Sequence, residues 1–519
     1  MPLNLKCCRM SYVSQAGSDL VQLDSEINQV QAVLEALHQK REALLMFTAE
    51  HNAILAPIRR LPLELLIDIF IRCSPPSPLW HGQEAPSLCA QVCAGWRQAA
   101  VSTQPLWSSI RILYHGCLNV ALFKTWLSWA NSCALSVSIV FRQWEHLHVE
   151  HWQQFSSLID LVVGHCDCWQ DIRLCLPPSR IHDLGKSVKH CLSKLELIDI
   201  SNSDSISPWL ELDAFEYAPR LRTIRFKPVG IPVQHLRIPW SQIKLLILMI
   251  RDVTECLESL QMVSNHRLFM LIIHAETWGG PRVVSDSRRF PTIWLPYLNT
   301  LHIMSVDQPD CLFDHLELPV LNTISTRDVR SSLVEGLWLS HQPSLSLLSR
   351  CSCTLRKLVI TDAHTLSRDI SNLGLVLHAI PLLTELVVRR APGLFSADVL
   401  NRLTQHKNTE VKLAPCLKVL NIKETYTSLP IPLFADMIMS RWRVHKDCCH
   451  SVEWINSVRL QLYDPPNGHH GGYHPDPTVL KWLSDCRVEG MDIMVMYASR
   501  DMQDIRDLLN ASEQLTGEI

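Results

Sequence analysis

The side chains most able to do chemistry gather in five places. "EHLHVEHW" brings His146, His148 and His151 together, and "NGHHGGYHPDP" brings His469, His470 and His474 beside Asp476. Closely spaced imidazoles can hold zinc, but a helix-borne site needs H-E-x-x-H and a zinc finger needs a cysteine pair at set spacing. Neither cluster has either, so solvated histidines are expected; the second cluster, in a Gly- and Pro-rich loop, is the one place where a metal could be recruited. "LGKSVKH" (184–190) holds Gly185-Lys186-Ser187, the tail of a phosphate-binding loop. Arg180 stands where the loop's first glycine belongs, and without that glycine the backbone cradle is missing. "CDC" (166–168) and "CSC" (351–353) separate their thiols by one residue where redox and zinc motifs use two. No G-x-S-x-G elbow is present. The expectation is a chain with no catalytic, cofactor-binding or metal-binding residues, acting by contact.

Composition narrows the kind of contact. Of 519 residues, 47% are hydrophobic and 19% charged, which is globular, and 48 basic residues against 51 acidic ones leave a formal charge of −3. A nucleic-acid partner is not expected, because a phosphate-binding surface normally shows as a basic excess. Nor is a membrane partner, since the longest apolar runs, such as "LLILMI" (245–250), fall far short of the roughly 18 residues that span a bilayer. The 19 cysteines are an odd number without a regular framework, and the N-terminus lacks a secretory apolar run, so a reduced, intracellular (cytoplasmic or nuclear) setting is expected. Only 17 glycines argue against folds built on glycine-rich phosphate loops.

The elements that must present a contact surface can be read in order. Residues 1–19 read as a flexible lead-in. Over 20–54 a helix is expected, with Leu23, Ile27, Val30, Leu34, Leu37 and Leu44 at coiled-coil spacing and Arg41 in one seam position. Such a seam suits either a coiled coil, which allows a homodimer through residues 20–50, or an amphipathic helix folded onto its own chain. "LPLELLIDIF" (61–70) starts at a proline and is apolar around most of its circumference, with Glu64, Asp68 and Arg72 forming one narrow stripe. A helix like that is either enclosed in a fold or shared with a partner. "SPPSP" (74–78) ends it, and "APSLCAQVCAGWRQAAVS" places Leu88, Val92, Trp96 and Ala99 on one face of a second helix.

Further on, apolar-x-x-apolar-x-apolar returns: "LSKLEL" (192), "LRTIRF" (221), "IKLLIL" (243), "LFMLII" (268), "LNTLHI" (298), "LNTIST" (321), "LRKLVI" (355), "LTELVV" (383) and "LKVLNI" (417). Eight intervals over 225 residues average about 28, within the range of leucine-rich repeats. Each copy supplies a short strand with leucines turned into a stacked core. Outward strand positions include Thr223, Arg225, Lys227, Lys357, Val359, Glu385, Arg389, Asn421 and Lys423, a mostly basic ridge suited to an acidic target segment or simply to solvent.

Taken in order, Leu61-Pro62-x-Glu64-Leu65-Leu66 with Ile69 and Phe70, then Val92-Cys93-x-x-Trp96-Arg97-x-x-Ala100, then Pro105-Leu106-Trp107, resemble an F-box, the helical module that docks on the Skp-type adaptor of cullin ubiquitin ligases. With the helix before it, "LSVSIVF" (135–141) and "CWQDIRLCLP" (168–177), the chain looks like the F-box-like proteins with leucine-rich repeats abundant in mushroom-forming fungi. A proline-rich insertion at 73–87 departs from the usual short link.

The resemblance implies an α/β chain: an N-terminal helical segment and F-box helices followed by an irregular leucine-rich-repeat solenoid. The expected divisions are 1–19, 20–54, an F-box at 57–112, a linking segment with the first strands at 113–190, repeats at 191–465, and a terminal loop and cap at 466–519. It implies a substrate receptor of a Skp–cullin–F-box ligase, with Leu61, Pro62, Leu65, Leu66, Ile69, Val92 and Trp96 on the adaptor, Val92 and Trp96 either completing that interface or holding the module's own core, and Arg225, Lys227, Lys357, Arg389 and Lys423 toward an unidentified protein target. The rival expectation is a protein-binding scaffold outside any ligase that self-associates through the coiled coil.

Overall fold

The computed structural model describes residues 3–55, 57–74, 85–113, 120–140, 149–201, 211–227, 233–250, 253–275, 290–304, 310–327, 338–361, 372–391, 393–404, 413–425, 429–443, 453–463, 477–498 and 505–507. Residues 1–74 with 85–103 form one compact unit, and 75–84 with 104–519 form a second. No described helix is long and apolar enough to cross a membrane.

In the first unit a single helix, α1 (Leu3–Leu55), runs for 53 residues. The flexible lead-in expected over 1–19 is helical from Leu3, because no proline lies between Pro2 and Pro57 to stop a helix propagating from residue 20 toward the N-terminus. A 3-10 turn at Pro57–Arg60 leads to α2 (Leu63–Cys73), with Pro62 at its N-cap in an extended conformation. The second expected helix is two helices, α3 (Ala85–Val92) and α4 (Ala94–Ser102). Cys93 breaks them: its backbone is extended (φ −160°, ψ 171°), and its Sγ accepts the Trp96 N–H at 3.5 Å, an N-cap in which sulfur takes the usual oxygen's place.

The second unit holds the strands β1 (Ser109–Leu113), β2 (Leu135–Val140), β3 (Trp169–Cys175), β4 (Leu197–Ser201), β5 (Thr223–Lys227), β6 (Leu245–Ile250), β7 (Met270–Ala275), β8 (Ile293–Trp294), β9 (Thr300–Met304), β10 (Leu316–Glu317), β11 (Thr323–Arg327), β12 (Lys357–Thr361), β13 (Glu385–Arg389), β14 (Val419–Thr425), β15 (Ser457–Tyr463), β16 (Asp492–Ala498) and β17 (Ile505–Asp507). β8 and β10 pair with each other, and the other fifteen form one sheet in strict chain order. All its neighbours are parallel except β16 and β17, which are antiparallel. Parallel neighbours need a crossover, and the described crossovers carry helices, among them α5 (Val120–Ala130), α6 (Val149–Val163), α7 (Pro178–Val188), α8 (Val253–Met262), α9 (Asp310–Phe313), α10 (Gln342–Arg350), α11 (Asn372–Ala379), α12 (Ala397–Leu403), α13 (Ile431–Trp442) and α14 (Pro477–Val488). From α9 to α14 each helix packs against the next.

The recurring motif explains this order. Leu221, Ile224 and Phe226 are buried, and the equivalent residues Leu298, Leu301 and Ile303, then Leu355, Leu358 and Ile360, repeat the arrangement strand after strand. Period-two alternation puts that set on one face. Just before several of the strands one carbonyl accepts two N–H groups from the start of the next strand: Arg222 from Lys244 and Leu245, Asn299 from Asn322 and Thr323, Thr384 from Lys418 and Val419.

Register corrects the sequence reading in three places. The first copy belongs at Leu195, with Ile198 and Ile200, three residues later than "LSKLEL" suggests. Strands continue past 465 into the expected terminal loop and cap, as β16 and β17, while β2 and β3 fall in the linking segment where the first strands are expected. Pro105-Leu106-Trp107 belongs to the second unit, where Trp107 packs against Trp126 and Trp129 and its carbonyl accepts Trp126 Nε1 at 2.8 Å. Apolar contacts across a long sequence separation decide that boundary, and local pattern does not carry them.

Candidate protein-interaction surfaces

On α2 the side chains divide by angle at 100° per residue. Leu66 and Phe70 point inward, and the Phe70 ring meets the Trp96 indole of α4. Leu65 and Ile69 fall on one flank, 53% and 40% exposed. Leu63 and Ile71 fall on the other, with the outward stripe of Glu64, Asp68 and Arg72 between the two. Arg72 Nε donates to Asp68 at 2.8 Å across one helical turn.

Of the expected adaptor residues, Leu65, Ile69, Pro62 and Val92 are exposed, and Leu61 and Trp96 are half-buried. Leu66 is a correction: at 6% exposure it is committed to the chain's own core and has no surface to offer. Trp96 turns to Phe70, so it too builds the interior of the unit. The break at Cys93 separates Leu88 and Val92, which face outward on α3, from Ala99 and Ala100, which are buried on α4. One continuous helix would have put Leu88, Val92, Trp96 and Ala99 on a single face. The insertion at 73–87 lies mostly outside the described residues.

The second surface is the sheet face opposite the buried leucines. In register across it run Arg173, Asp199, Arg225, Ile247, Ile272, His302, Ser325, Val359, Val387, Asn421 and Arg459. A parallel row carries Lys357 beside Glu385, and another carries Arg327, Thr361, Arg389 and Lys423. The expected ridge residues thus share one face, but their charge is partly answered. Asp199, nearly buried, accepts Arg173 Nε at 2.8 Å and Arg225 Nη1 at 3.2 Å, and Lys357 Nζ lies 2.7 Å from Glu385. Lys227 and Lys423 are half-buried and Arg389 is exposed at the end of its strand.

Sequence reasoning missed the apolar middle of this face. "LLILMI" and "MLIIHA" are apolar at odd and even positions alike, so β6 and β7 present Ile247 and Ile272 outward as well as Leu246 and Leu271 inward. Burial pulls the His302 pKa below its ordinary value, which keeps that imidazole neutral at pH 7.

Among the described residues no group of His, Cys, Asp and Glu is placed to hold a metal. His146, His148 and the 469–476 loop lie outside the described residues. Gly185 sits inside α7 with Ala214 and Leu212 against it, a packing position. Burial pushes up the Cys166 and Cys168 thiols of the first cysteine pair, Cys166 to about 12 with the neighbouring Cys191 thiol adding to the rise. It pushes Cys351 of the second pair up to about 11. Thiols held protonated in this way are poor nucleophiles and poor metal ligands. What both surfaces can do chemically is bind. The chain matches no family model and no curated protein sequence.

Proposed function

We propose that this chain is a substrate-receptor subunit of a Skp–cullin–F-box ubiquitin ligase, holding the adaptor through its first unit and a target protein through the outward face of its sheet. The observation that carries the reading is the division of labour on α2. Leu66 and Phe70 close on Trp96 as a small core, while Leu65 and Ile69 stay exposed beside Pro62. An unpartnered apolar flank on a helix with its own core is the form of surface in which a few well-packed side chains carry the binding energy.

The leucine-rich-repeat reading of the second unit is supported by the sequential parallel order, the in-register leucines and the doubly accepting carbonyl that recurs at several strand starts. Its outward face, apolar at Ile247 and Ile272 with Arg225 on one side and the neutral His302 on the other, suits a target segment with apolar side chains and a carboxylate beside them on the Arg225 side. The receptor itself performs no bond chemistry. Tethering raises the effective concentration of target lysines near the ubiquitin-charged enzyme.

The test is co-purification of the full chain with the Skp-type adaptor and cullin, beside Leu65→Asp with its fold checked by circular dichroism. Binding by the wild type and none by the folded variant supports the reading. Binding by neither, or by both, overturns it in favour of a scaffold outside any ligase.

A further inference from the structure

Every described side chain of α1 from Tyr12 to Asn52 is exposed. In proteins most helix stability comes from packing an apolar face, with propensity the smaller part. On α1 a seam at heptad spacing is available for that: Leu23, Ile27, Val30, Leu34, Leu37 and Leu44 are 52–67% exposed, and Leu20 extends the seam toward the N-terminus. Something must cover it, and the charges flanking the seam say what.

In heptad terms Leu20, Ile27, Leu34 and Arg41 take the a positions, and Leu23, Val30, Leu37 and Leu44 the d positions. Flanking residues set partner and orientation in such a seam. Asp24, Gln31, His38 and Leu45 fall at e; Asp19, Glu26, Val33, Lys40 and Phe47 fall at g. The flank is acidic in its first half and basic in its second.

We propose that α1 pairs with α1 of a second copy of this chain, antiparallel and centred near Ala32. That register sets Leu20 against Leu44, Ile27 against Leu37 and Val30 against Leu34. It brings Glu26 beside Lys40 of the second copy and Asp24 beside its His38, each twice by symmetry. Arg41 comes level with Leu23 of the second copy, where Asp24 offers it a carboxylate. A parallel pair loses all of this: Arg41 stacks on Arg41, Asp19 faces Asp24, Glu26 faces Gln31 and Lys40 faces Leu45. Like charges across a seam oppose association, so the charge pattern selects the antiparallel arrangement. The pairing is independent of the ligase reading, because it uses none of the residues assigned to the adaptor or the target.

Sedimentation equilibrium of the full chain without adaptor, at low salt where flank charges are least screened, tests this. A dimer is expected. Glu26→Lys and Lys40→Glu should each weaken it about tenfold, and the two together should restore it. Ile27→Asp should yield monomer, with circular dichroism and retained β-sheet signal confirming that the second unit is folded. A monomeric wild type overturns the proposal. So does a dimer indifferent to Ile27→Asp, or one in which the charge exchange fails to restore what each single change removed.

Discussion

The Phe70 ring meets the Trp96 indole edge-on, with centroids 5.0 Å apart and planes inclined at 60°. This contact joins α2 to α4 and fixes which flank of α2 remains outside. Phe70→Ala removes a buried ring and should cost about 3–5 kcal/mol of stability. A double-mutant cycle with Trp96→Ala should return a coupling of about 0.5–1.5 kcal/mol, read by chemical denaturation. Leu66→Asp should unfold the unit, while Leu65→Asp, one residue away, should stay within about 0.5 kcal/mol of the wild type.

Asp199 holds Arg173 and Arg225 from the two adjacent strands, with its carboxylate 8% exposed. Asp199→Asn leaves two guanidinium groups side by side without a counter-charge. A loss of about 1–3 kcal/mol is expected, smaller than for a wholly buried pair because each arginine is nearly two-fifths exposed. Arg173→Met combined with Asp199→Asn should recover part of it, measured by urea denaturation.

Arg441 on α13 is fully buried, and its guanidinium has only backbone carbonyls as its described partners. Nε donates to Leu403 at 2.8 Å, Nη1 to Ala414 at 2.9 Å and Nη2 to Leu413 at 2.6 Å. Desolvation pulls its pKa down to about 10. Those bonds tie the end of α12 to the turn before β14, so Arg441→Ala removes the guanidinium donor from the Leu403 and Leu413 carbonyls and one of two donors from Ala414, whose carbonyl keeps the Leu417 N–H, and should cost about 3–5 kcal/mol. Arg441→Lys keeps the charge but not the planar fork and should recover less than half. Loss of hydrogen-exchange protection confined to 397–425 would mark the effect as local.

Cysteine labelling should follow burial. Cys256 is fully buried and its pKa lies well above the ordinary thiol value; Cys351 is pushed up to about 11 by burial. Both stay protonated at pH 8, so alkylation of the native protein should be far slower there than at the exposed Cys73, Cys191 and Cys353. Cys351 should gain reactivity as pH approaches its raised value, and denaturant should erase the difference. Peptide mapping after timed iodoacetamide treatment reads this directly.

The sequence alone was enough to place most of the strands, because apolar-x-x-apolar-x-apolar is a local pattern and each copy carries its own burial signal. It also marked a helix with apolar residues at heptad spacing, which is α1, and a proline-rich stretch between α2 and α3. It could not tell Leu65 from Leu66. Both are leucines on an almost wholly apolar helix, and only the arrival of Trp96, some thirty residues later, decides which is core. The helix break at Cys93 was invisible for a related reason, since apolar spacing runs unbroken through a cap made by a thiol. Charge pairing was likewise beyond local reading: Arg225 looks like a free basic residue in sequence, and comes to share a carboxylate with Arg173 only when stacking sets it in register with Asp199, twenty-six residues earlier. Periodicity determined the elements, because burial of a strand or helix face is written within a few residues. Tertiary structure decided the surfaces, because what remains exposed depends on which distant side chains have already claimed the interior.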